Sequence, residues 1–292
     1  MTSLALQKDG QQNGSSPVPA VFAGRKTRVA IAGLGAIGKM LARKLSEGSL
    51  PGMELAAVSA RDHDKARATL AEAGADAPVL SLAELAETAD IVVECAPAAI
   101  FADIARPTLM AGKKMMALSV GALLSNYELV EVARKHGGQI MVPTGALLGL
   151  DAVSAAAEGT IHSVKMVTRK PVKGLLGAPY LTEHKIAIED IKEPLKIFDG
   201  TAREAAIGFP ANLNVAVALS LAGIGPDKTF LQIWADPTVT RNTHRIQVDS
   251  DSASLDMTIA NIPSENPKTG RITALSVIAA LRKIHAPLRV GT

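Results

Sequence analysis

Apolar runs and segments with helical spacing alternate along the first half of the chain, from Arg28 onward. The short apolar runs predict strands over residues 28–33, 54–60, 90–95, 114–119 and 139–142. Between them, spacing and capping residues predict helices over 36–46, 62–73, a short segment after Ser81, 98–110 and 127–136. Strands that are separated by helices and almost continuously apolar predict a parallel sheet with helices on both faces, a doubly wound Rossmann-type α/β domain.

The rhythm changes after about residue 145. The pattern there predicts helices over 147–157, 201–207, 214–222 and 271–284, and strands over 162–168, 229–235, 244–249 and 254–260. No helix separates the last two strands, which favours an α+β domain with a mixed or antiparallel sheet. We expect a flexible tail (1–25), a dinucleotide-binding domain (26–145), a substrate and dimerisation domain (146–270), and a C-terminal helix (271–292) that returns to the first domain.

Composition narrows the functional classes. The 292 residues are 48% hydrophobic and only 3% aromatic, and the 31 basic and 28 acidic residues are well mixed, so no basic face or stacking platform points to nucleic acid. Apolar stretches are shorter than the roughly 20 residues that span a bilayer, and the first 25 residues lack the apolar core of a signal peptide. Cys95 is the only cysteine, which excludes an intramolecular disulfide and a cysteine-based zinc site. We predict a cytoplasmic protein without a metal.

A glycine loop joins the first predicted strand to the first predicted helix. Gly33, Gly35 and Gly38 fit G-x-G-x-x-G, and the strand before them and the helix after them are the context that the dinucleotide fingerprint requires. Free N–H groups at the start of the helix, at Ala36 and Ile37, and its positive end suit a pyrophosphate. An ordinary glycine turn is the alternative interpretation.

The second predicted strand bears on the choice of cofactor. NAD-selective sites place Asp or Glu about 20 residues after the glycines, on the ribose hydroxyls. Here the strand ends without an acid at its tip, Arg61 lies where a 2′-phosphate is held, and Asp62 comes late. We therefore predict that NADP is accepted, with NAD left open beside it. A solvated surface arginine is the alternative for Arg61.

Several polar residues in apolar settings are candidates for chemistry. His244 follows a polar loop and enters a strand, although a lone histidine there is more often structural. Arg169 and Lys170 end a strand, where they could bind carboxylates or simply be solvated. Asn212 can cap the helix that follows it, which leaves Asn214 harder to explain as a cap.

Two further segments lie at the expected edge of the ligand crevice. Residues 143–149 follow the last parallel strand, and this position borders the crevice of a doubly wound sheet. Cys95 ends another parallel strand near the expected nicotinamide position. Nothing in the sequence indicates a lowered thiol pKa, so a buried, inert thiol is the preferred interpretation.

The chain resembles the L-aspartate dehydrogenase family from about Arg28 to Ile284. The resemblance is carried by these segments: GLGAIG (33–38), VVECA (92–96), SVGAL (119–123), PTGALLGLDA (143–152), TRKP (168–171), FDGTAREAA (198–206), FPANLNVAVALSLAG (209–223), ADPTVTRNTH (235–244) and NPKTG (266–270). Many segments in the same order are far more specific than the glycine loop alone. The N-terminal extension departs from the family pattern.

The resemblance implies oxidation of L-aspartate to iminoaspartate with NAD or NADP, or the reverse amination. It implies that His244 is the active-site histidine, that Ala146 and Asn214 contact the cofactor, that the protein is a homodimer, and that it supplies iminoaspartate for NAD biosynthesis. On this basis we hypothesise that His244 manages the proton of the substrate amine and that Arg169 or Lys170 holds its carboxylates.

Two other classes of protein stay open at this point. A dihydrodipicolinate-reductase-like or homoserine-dehydrogenase-like enzyme would share the architecture, because fold does not select the substrate. A non-catalytic NAD(P)-binding sensor would keep the glycine loop and lose the polar pocket. The presence of His244, Asn214 and the adjacent Arg169 and Lys170 argues against the sensor.

Overall fold

A computed structural model describes residues 24–209, 213–264 and 270–292. The strands are β1 Thr27–Ala32, β2 Met53–Ser59, β3 Ile91–Glu94, β4 Lys114–Ala117, β5 Gln139–Met141, β6 Ile161–Lys170, β7 Leu195–Thr201, β8 Thr229–Ala235, β9 Asn242–Ser250 and β10 Ser254–Asn261. The helices are α1 Ala36–Ser46, α2 His63–Glu72, α3 Leu82–Thr88, α4 Phe101–Met110, α5 Val120–Ser125, α6 Glu128–His136, α7 Leu150–Ala157, α8 Pro179–Glu183, α9 Ala202–Gly208, α10 Asn214–Ala222 and α11 Arg271–His285.

The first sheet has the order β2-β1-β3-β4-β5, and all of its strands are parallel. Beside β2, Val58 forms a parallel bridge with Val79, in which the Val58 N–H donates to the Pro78 carbonyl at 2.9 Å. Counting this one-residue strand, the strand order is that of the Rossmann fold, 3-2-1-4-5-6. The predicted doubly wound domain is confirmed, and its switch point lies between β1 and β3.

The second sheet has the order β10-β9-β6-β8-β7. Strand β6 runs parallel to β8 and antiparallel to β9, while β9 and β10 form an antiparallel hairpin. This confirms the predicted mixed sheet. The sequence analysis did not predict β7, α5 or α8; α5 and α8 are only 6 and 5 residues long, too short to show a helical period.

The last helix, α11, packs against the apolar core of the first sheet. Val277 and Leu281 are fully buried in the same apolar cluster as Val29 and Leu41. This confirms that the final helix returns to the first half of the molecule. The division of the chain at residue 145 and at residue 270 stays a prediction.

Local signals in the sequence set several helix ends. Asp62 accepts a hydrogen bond from the Lys65 N–H at 3.0 Å at the start of α2, as predicted. Ser81 and Glu84 form a reciprocal capping box at the start of α3. Gly137 ends α6 in the left-handed region at φ 72°. Within the three described stretches, no helix is both long and apolar enough to cross a bilayer.

Candidate active site

Two adjoining cavities open at the carboxyl edge of the first sheet, against the second sheet and α11. The glycine-loop crevice is lined by Gly35, Ala36, Ile37, Met40, Glu94, Cys95, Ala96, Leu118, Ser119, Asn214, Ser264, Gly270, Arg271, Thr273 and Ala274. The histidine cavity is lined by Ala117, Leu118, Val120, Pro143, Thr144, Gly145, Ala146, Lys170, Asn214, Val215, Ala218, Asn242, His244, Asn261, Gly270 and Thr273. Leu118, Asn214, Gly270 and Thr273 belong to both, so the two cavities are neighbours.

The structure explains the presence of glycine at each of the three loop positions in a different way. Gly33 has φ +102°, and a Cβ there would lie 2.6 Å from the Cys95 carbonyl oxygen. A Cβ at Gly38 would lie 2.0 Å from the Gly33 carbonyl oxygen, so α1 packs too closely on the loop for any side chain. At Gly35 a Cβ would meet nothing within 4 Å, so this glycine leaves open space on the crevice side.

The start of α1 can receive an anion. Gly35 provides no side-chain cap, and the first turn carries no acidic residue, so neither the cap nor the first turn neutralises the positive end of the helix. Ala36 and Ile37 line the crevice at this point. These features fit a dinucleotide pyrophosphate. Arg61 is exposed two residues beyond β2 and is not among the residues that line the crevice.

Glu94 is a buried carboxylate that the sequence analysis missed. It is 0% exposed and accepts hydrogen bonds from the N–H groups of Ala96 (3.2 Å), Leu118 (3.1 Å) and Ser119 (2.8 Å) and from the Ser119 hydroxyl (3.0 Å). Burial raises the pKa of Glu94, and these donors oppose the rise. The side chain thus fixes the loop after β4 to the end of β3. An acid inside the apolar run 91–95 was the available signal.

His244 lies on β9, directly opposite Thr168 of β6, and is 2% exposed. Its Nδ1 is 3.1 Å from the Thr168 hydroxyl, which fixes the plane of the ring. Burial, and secondarily the charge of Lys170, lower the pKa of His244 to about 3. The imidazole is therefore neutral at physiological pH in the ligand-free protein.

The two adjacent cations at the end of β6 have separate environments. Lys170 is 5% exposed and lines the histidine cavity, where burial lowers the pKa of its ammonium to about 8. Arg169 faces the other side of the sheet because side chains alternate along a strand. It pairs there with Asp236 at 3.2 Å and stacks over the Trp234 ring at 4.7 Å. The structure thus brings Lys170, and not Arg169, to the cavity.

Two asparagines hold backbone groups at the junction of the cavities. Asn214, the first residue of α10, accepts a hydrogen bond from the Gly121 N–H at 3.0 Å, and so connects α10 to α5. Asn261, at the end of β10, donates from Nδ2 to the Ala146 carbonyl at 2.9 Å. The sequence analysis did not single out Asn261, which pairs with Asn242 across the two strand ends.

One further prediction agrees with the structure, and three predicted features fall on residues that the structure does not describe. Burial and the neighbouring Glu94 raise the pKa of the Cys95 thiol, in agreement with an inert cysteine. The tail over 1–23, Asn212 in the 210–212 segment, and residues 266–269 of the NPKTG segment lie outside the described residues.

Comparison with known proteins agrees with this geometry. Residues 151–284 match the family model described as aspartate dehydrogenase, C-terminal, and residues 33–143 match the NAD-binding domain of homoserine dehydrogenase. L-aspartate dehydrogenase of Bradyrhizobium diazoefficiens is 61% identical over 92% of this chain and 96% of its own length. The chain belongs to the L-aspartate dehydrogenase family. L-aspartate dehydrogenase 3 of Bordetella bronchiseptica, at 62% identity over 90% of this chain and 97% of its own, is a second close member.

The two halves of the chain match different family models. The N-terminal match is to a NAD-binding domain described for homoserine dehydrogenase, whereas the C-terminal match, which contains Lys170 and His244, is to a domain described for aspartate dehydrogenase. The fold is shared with aspartate dehydrogenase of Thermotoga maritima, with a TM-score of 0.69 at 23% identity over 91% of this chain and 99% of the other. A scyllo-inositol dehydrogenase of Lactobacillus casei has a TM-score of 0.51 at 15% identity, with 88% of both chains covered.

Proposed function

We propose that this protein oxidises L-aspartate to iminoaspartate with NAD or NADP as acceptor, and that it also catalyses the reverse amination. The observation that carries the proposal is a buried neutral histidine and a buried lysine in one cavity, adjoining a glycine loop that fits a dinucleotide. Relatives 61% and 62% identical that are named L-aspartate dehydrogenases support the choice of substrate.

The residues for the cofactor come from the first sheet and from the junction of the cavities. NAD(P), when bound, accepts the hydrogen and electron pair that leave Cα of the substrate. Gly33, Gly35 and Gly38, with the N–H groups of Ala36 and Ile37, shape the crevice for the pyrophosphate. Ala146 and Asn214 line the passage towards the histidine cavity and are our candidates for contacts to the carboxamide side of the nicotinamide. Arg61 is our candidate for the 2′-phosphate of NADP.

Lys170 supplies the positive charge for the dicarboxylate. Its ammonium, buried in the wall of the cavity, attracts a carboxylate more strongly than an exposed lysine does, because water screens the pair less. Since its pKa is about 8, Lys170 carries this charge at neutral pH. A bound carboxylate stabilises the ammonium further.

His244 accepts the proton that the α-ammonium of the substrate releases. The α-ammonium of aspartate must lose a proton before a C=N bond can form, and the neutral imidazole can take it. Two carboxylates bound beside the ring favour the imidazolium and therefore raise the pKa of His244 from its ligand-free value. The hydrogen bond with Thr168 holds the ring during this exchange.

We further infer a homodimer. Ile207 and Phe230 are 78% and 51% exposed, and Phe230 lies on the face of β8 turned away from the core. The resemblance to the L-aspartate dehydrogenase family implies a homodimer, and these exposed apolar side chains are our candidates for its interface. Sedimentation equilibrium of the wild-type protein and of Phe230→Ser measures the state directly.

The function is tested by following absorbance at 340 nm with L-aspartate and NAD or NADP at alkaline pH, and in reverse with oxaloacetate, ammonia and NADH or NADPH. We expect cofactor reduction with L-aspartate and none with succinate, which has no amine. Intact cofactor binding without any turnover would contradict the proposal and favour a sensor.

A further inference from the structure

The C-terminal helix contributes to the glycine-loop crevice. Arg271, Thr273 and Ala274, in the first turn of α11, line the crevice together with Gly35 and Ala36 of the glycine loop. Arg271 is the one cation among the described lining residues. The one acid, Glu94, is fully buried and already receives hydrogen bonds on both oxygens. The crevice therefore carries a positive charge that the glycine motif does not supply.

Arg271 differs from most arginines of the described chain in having no carboxylate partner there. Arg169, Arg203 and Arg245, for example, pair with Asp236, Asp227 and Asp256 respectively. The Arg271 side chain is exposed at the crevice and forms no ion pair with any described residue. A guanidinium has five N–H donors in a planar arrangement that matches phosphate oxygens, so this one is available for an anion.

The position of Arg271 is fixed by the rest of α11. Its backbone N–H donates to the Ile262 carbonyl at 2.9 Å. Further along, the Ser276 hydroxyl accepts from the Gly145 N–H at 3.0 Å, and Val277 is fully buried against the first sheet's core. A binding group on a packed helix loses less entropy on binding than one on a loose segment.

We propose that Arg271 binds the pyrophosphate of the dinucleotide, so that α11 forms a second wall of the cofactor site and faces the anion that the start of α1 receives. This inference rests on the proposed cofactor and not on the substrate. It assigns the C-terminal helix a binding role beyond packing. Because NAD and NADP share the pyrophosphate, the contact serves both equally.

The test compares Arg271→Gln with Arg282→Gln, which removes an exposed arginine about three turns along the same helix and outside the crevice. Dissociation constants for NADH, NADPH, ADP-ribose and adenosine are measured by fluorescence or calorimetry. Loss of a charged hydrogen bond should weaken NADH, NADPH and ADP-ribose alike by roughly 10–100-fold in Arg271→Gln. Adenosine, which lacks both phosphates, should change less than about twofold, and Arg282→Gln should match the wild type.

Other outcomes overturn the proposal. Weaker binding of NADPH alone would place Arg271 at the 2′-phosphate, and equal weakening of adenosine binding would indicate a structural role. Unchanged binding of all four would exclude a contact. If Arg271→Gln unfolds, Arg271→Lys keeps the charge and should retain pyrophosphate binding within about tenfold at low salt; a loss as large as that expected for Gln would contradict the proposal. These dissociation constants are measured without L-aspartate, so they can be interpreted even if the protein does not oxidise L-aspartate.

Discussion

The glycine-loop crevice and the histidine cavity recognise their ligands by different means. On its glycine-loop side, the crevice offers mainly backbone groups of one short segment, with glycines where the chain must turn or approach closely. The cavity offers buried side chains from distant parts of the chain, among them Lys170 and His244, which neighbouring strands bring together.

This difference predicts different responses to pH. Backbone N–H groups do not titrate, so cofactor binding through the glycine loop should vary little between pH 6 and 9. In the cavity, burial lowers the pKa of Lys170 to about 8, so substrate binding should carry the pH dependence over this range, whereas His244, whose pKa is lowered to about 3, stays neutral throughout it without ligand.

The largest expected effect is at His244. His244→Ala should lower kcat about 10²–10⁴-fold, because the proton acceptor for the substrate ammonium is lost. The dissociation constant for NADPH should stay within about twofold, since the ring lies outside the glycine-loop crevice. Stopped-flow kinetics and fluorescence titration measure the two quantities separately.

The control for this variant is His162→Ala, which removes an exposed histidine near the start of β6. It should have wild-type kinetics. Near-normal turnover of His244→Ala with an unchanged pH profile would show that the acid–base role is wrong.

The adjacent cations of β6 give the next largest effect. Lys170→Met should weaken binding of succinate to the NADPH-loaded enzyme by about 100-fold, because it removes a buried charge that faces the carboxylate. Arg169→Met removes the neighbouring cation on the other face and should change succinate binding less than about threefold. Calorimetry with succinate avoids the titrating amine of aspartate.

The pH dependence of succinate binding further distinguishes Lys170 from Arg169. As pH rises through about 8, wild-type Lys170 loses its proton, so succinate binding should weaken by up to tenfold per pH unit. Lys170→Met should show no such limb. Equal losses in both variants, or a limb that persists without Lys170, would assign the carboxylate to another group.

Sequence alone could predict one of these regions far better than the other. The crevice follows from a local pattern, since Gly33 to Gly38 lie between a strand and a helix, and the structure confirms both elements. The cavity depends on strand register: only the pairing of β6 with β9 places His244 opposite Thr168. The resemblance to a known family indicated His244, but periodicity alone did not.

What the sequence left undecided or missed depends on contacts between residues that are distant in the chain. Lys170 and Arg169 are equivalent in sequence, and their different roles depend on which face of β6 is covered. Asn261 became visible only through its hydrogen bond to Ala146, 115 positions away in the chain. Glu94 left a signal, an acid in an apolar strand, because burying a carboxylate is unfavourable unless donors surround it.

Within the glycine loop, two substitutions separate folding from binding. Gly38→Ala should lower the free energy of unfolding by about 1–3 kcal/mol, since its Cβ meets the Gly33 carbonyl. Gly35→Ala should leave that free energy within about 0.5 kcal/mol, as its Cβ meets nothing, yet weaken NADH binding where the pyrophosphate approaches. Urea unfolding and NADH titration measure both. Normal NADH binding by Gly35→Ala would show that the pyrophosphate does not approach the backbone closely at Gly35.

The smallest expected effect is at Arg61, which is exposed at the end of β2 and outside the described lining of the crevice. Arg61→Ala should raise the KM for NADPH up to about tenfold and leave the KM for NADH within twofold, because an exposed guanidinium is largely screened by water. The difference should shrink as salt increases. Arg67→Ala, on α2, is the matched control, since Arg67 is exposed and pairs with Asp64. Equal effects of Arg61→Ala on both cofactors would exclude a contact with the 2′-phosphate and leave cofactor recognition in the crevice to groups common to NAD and NADP.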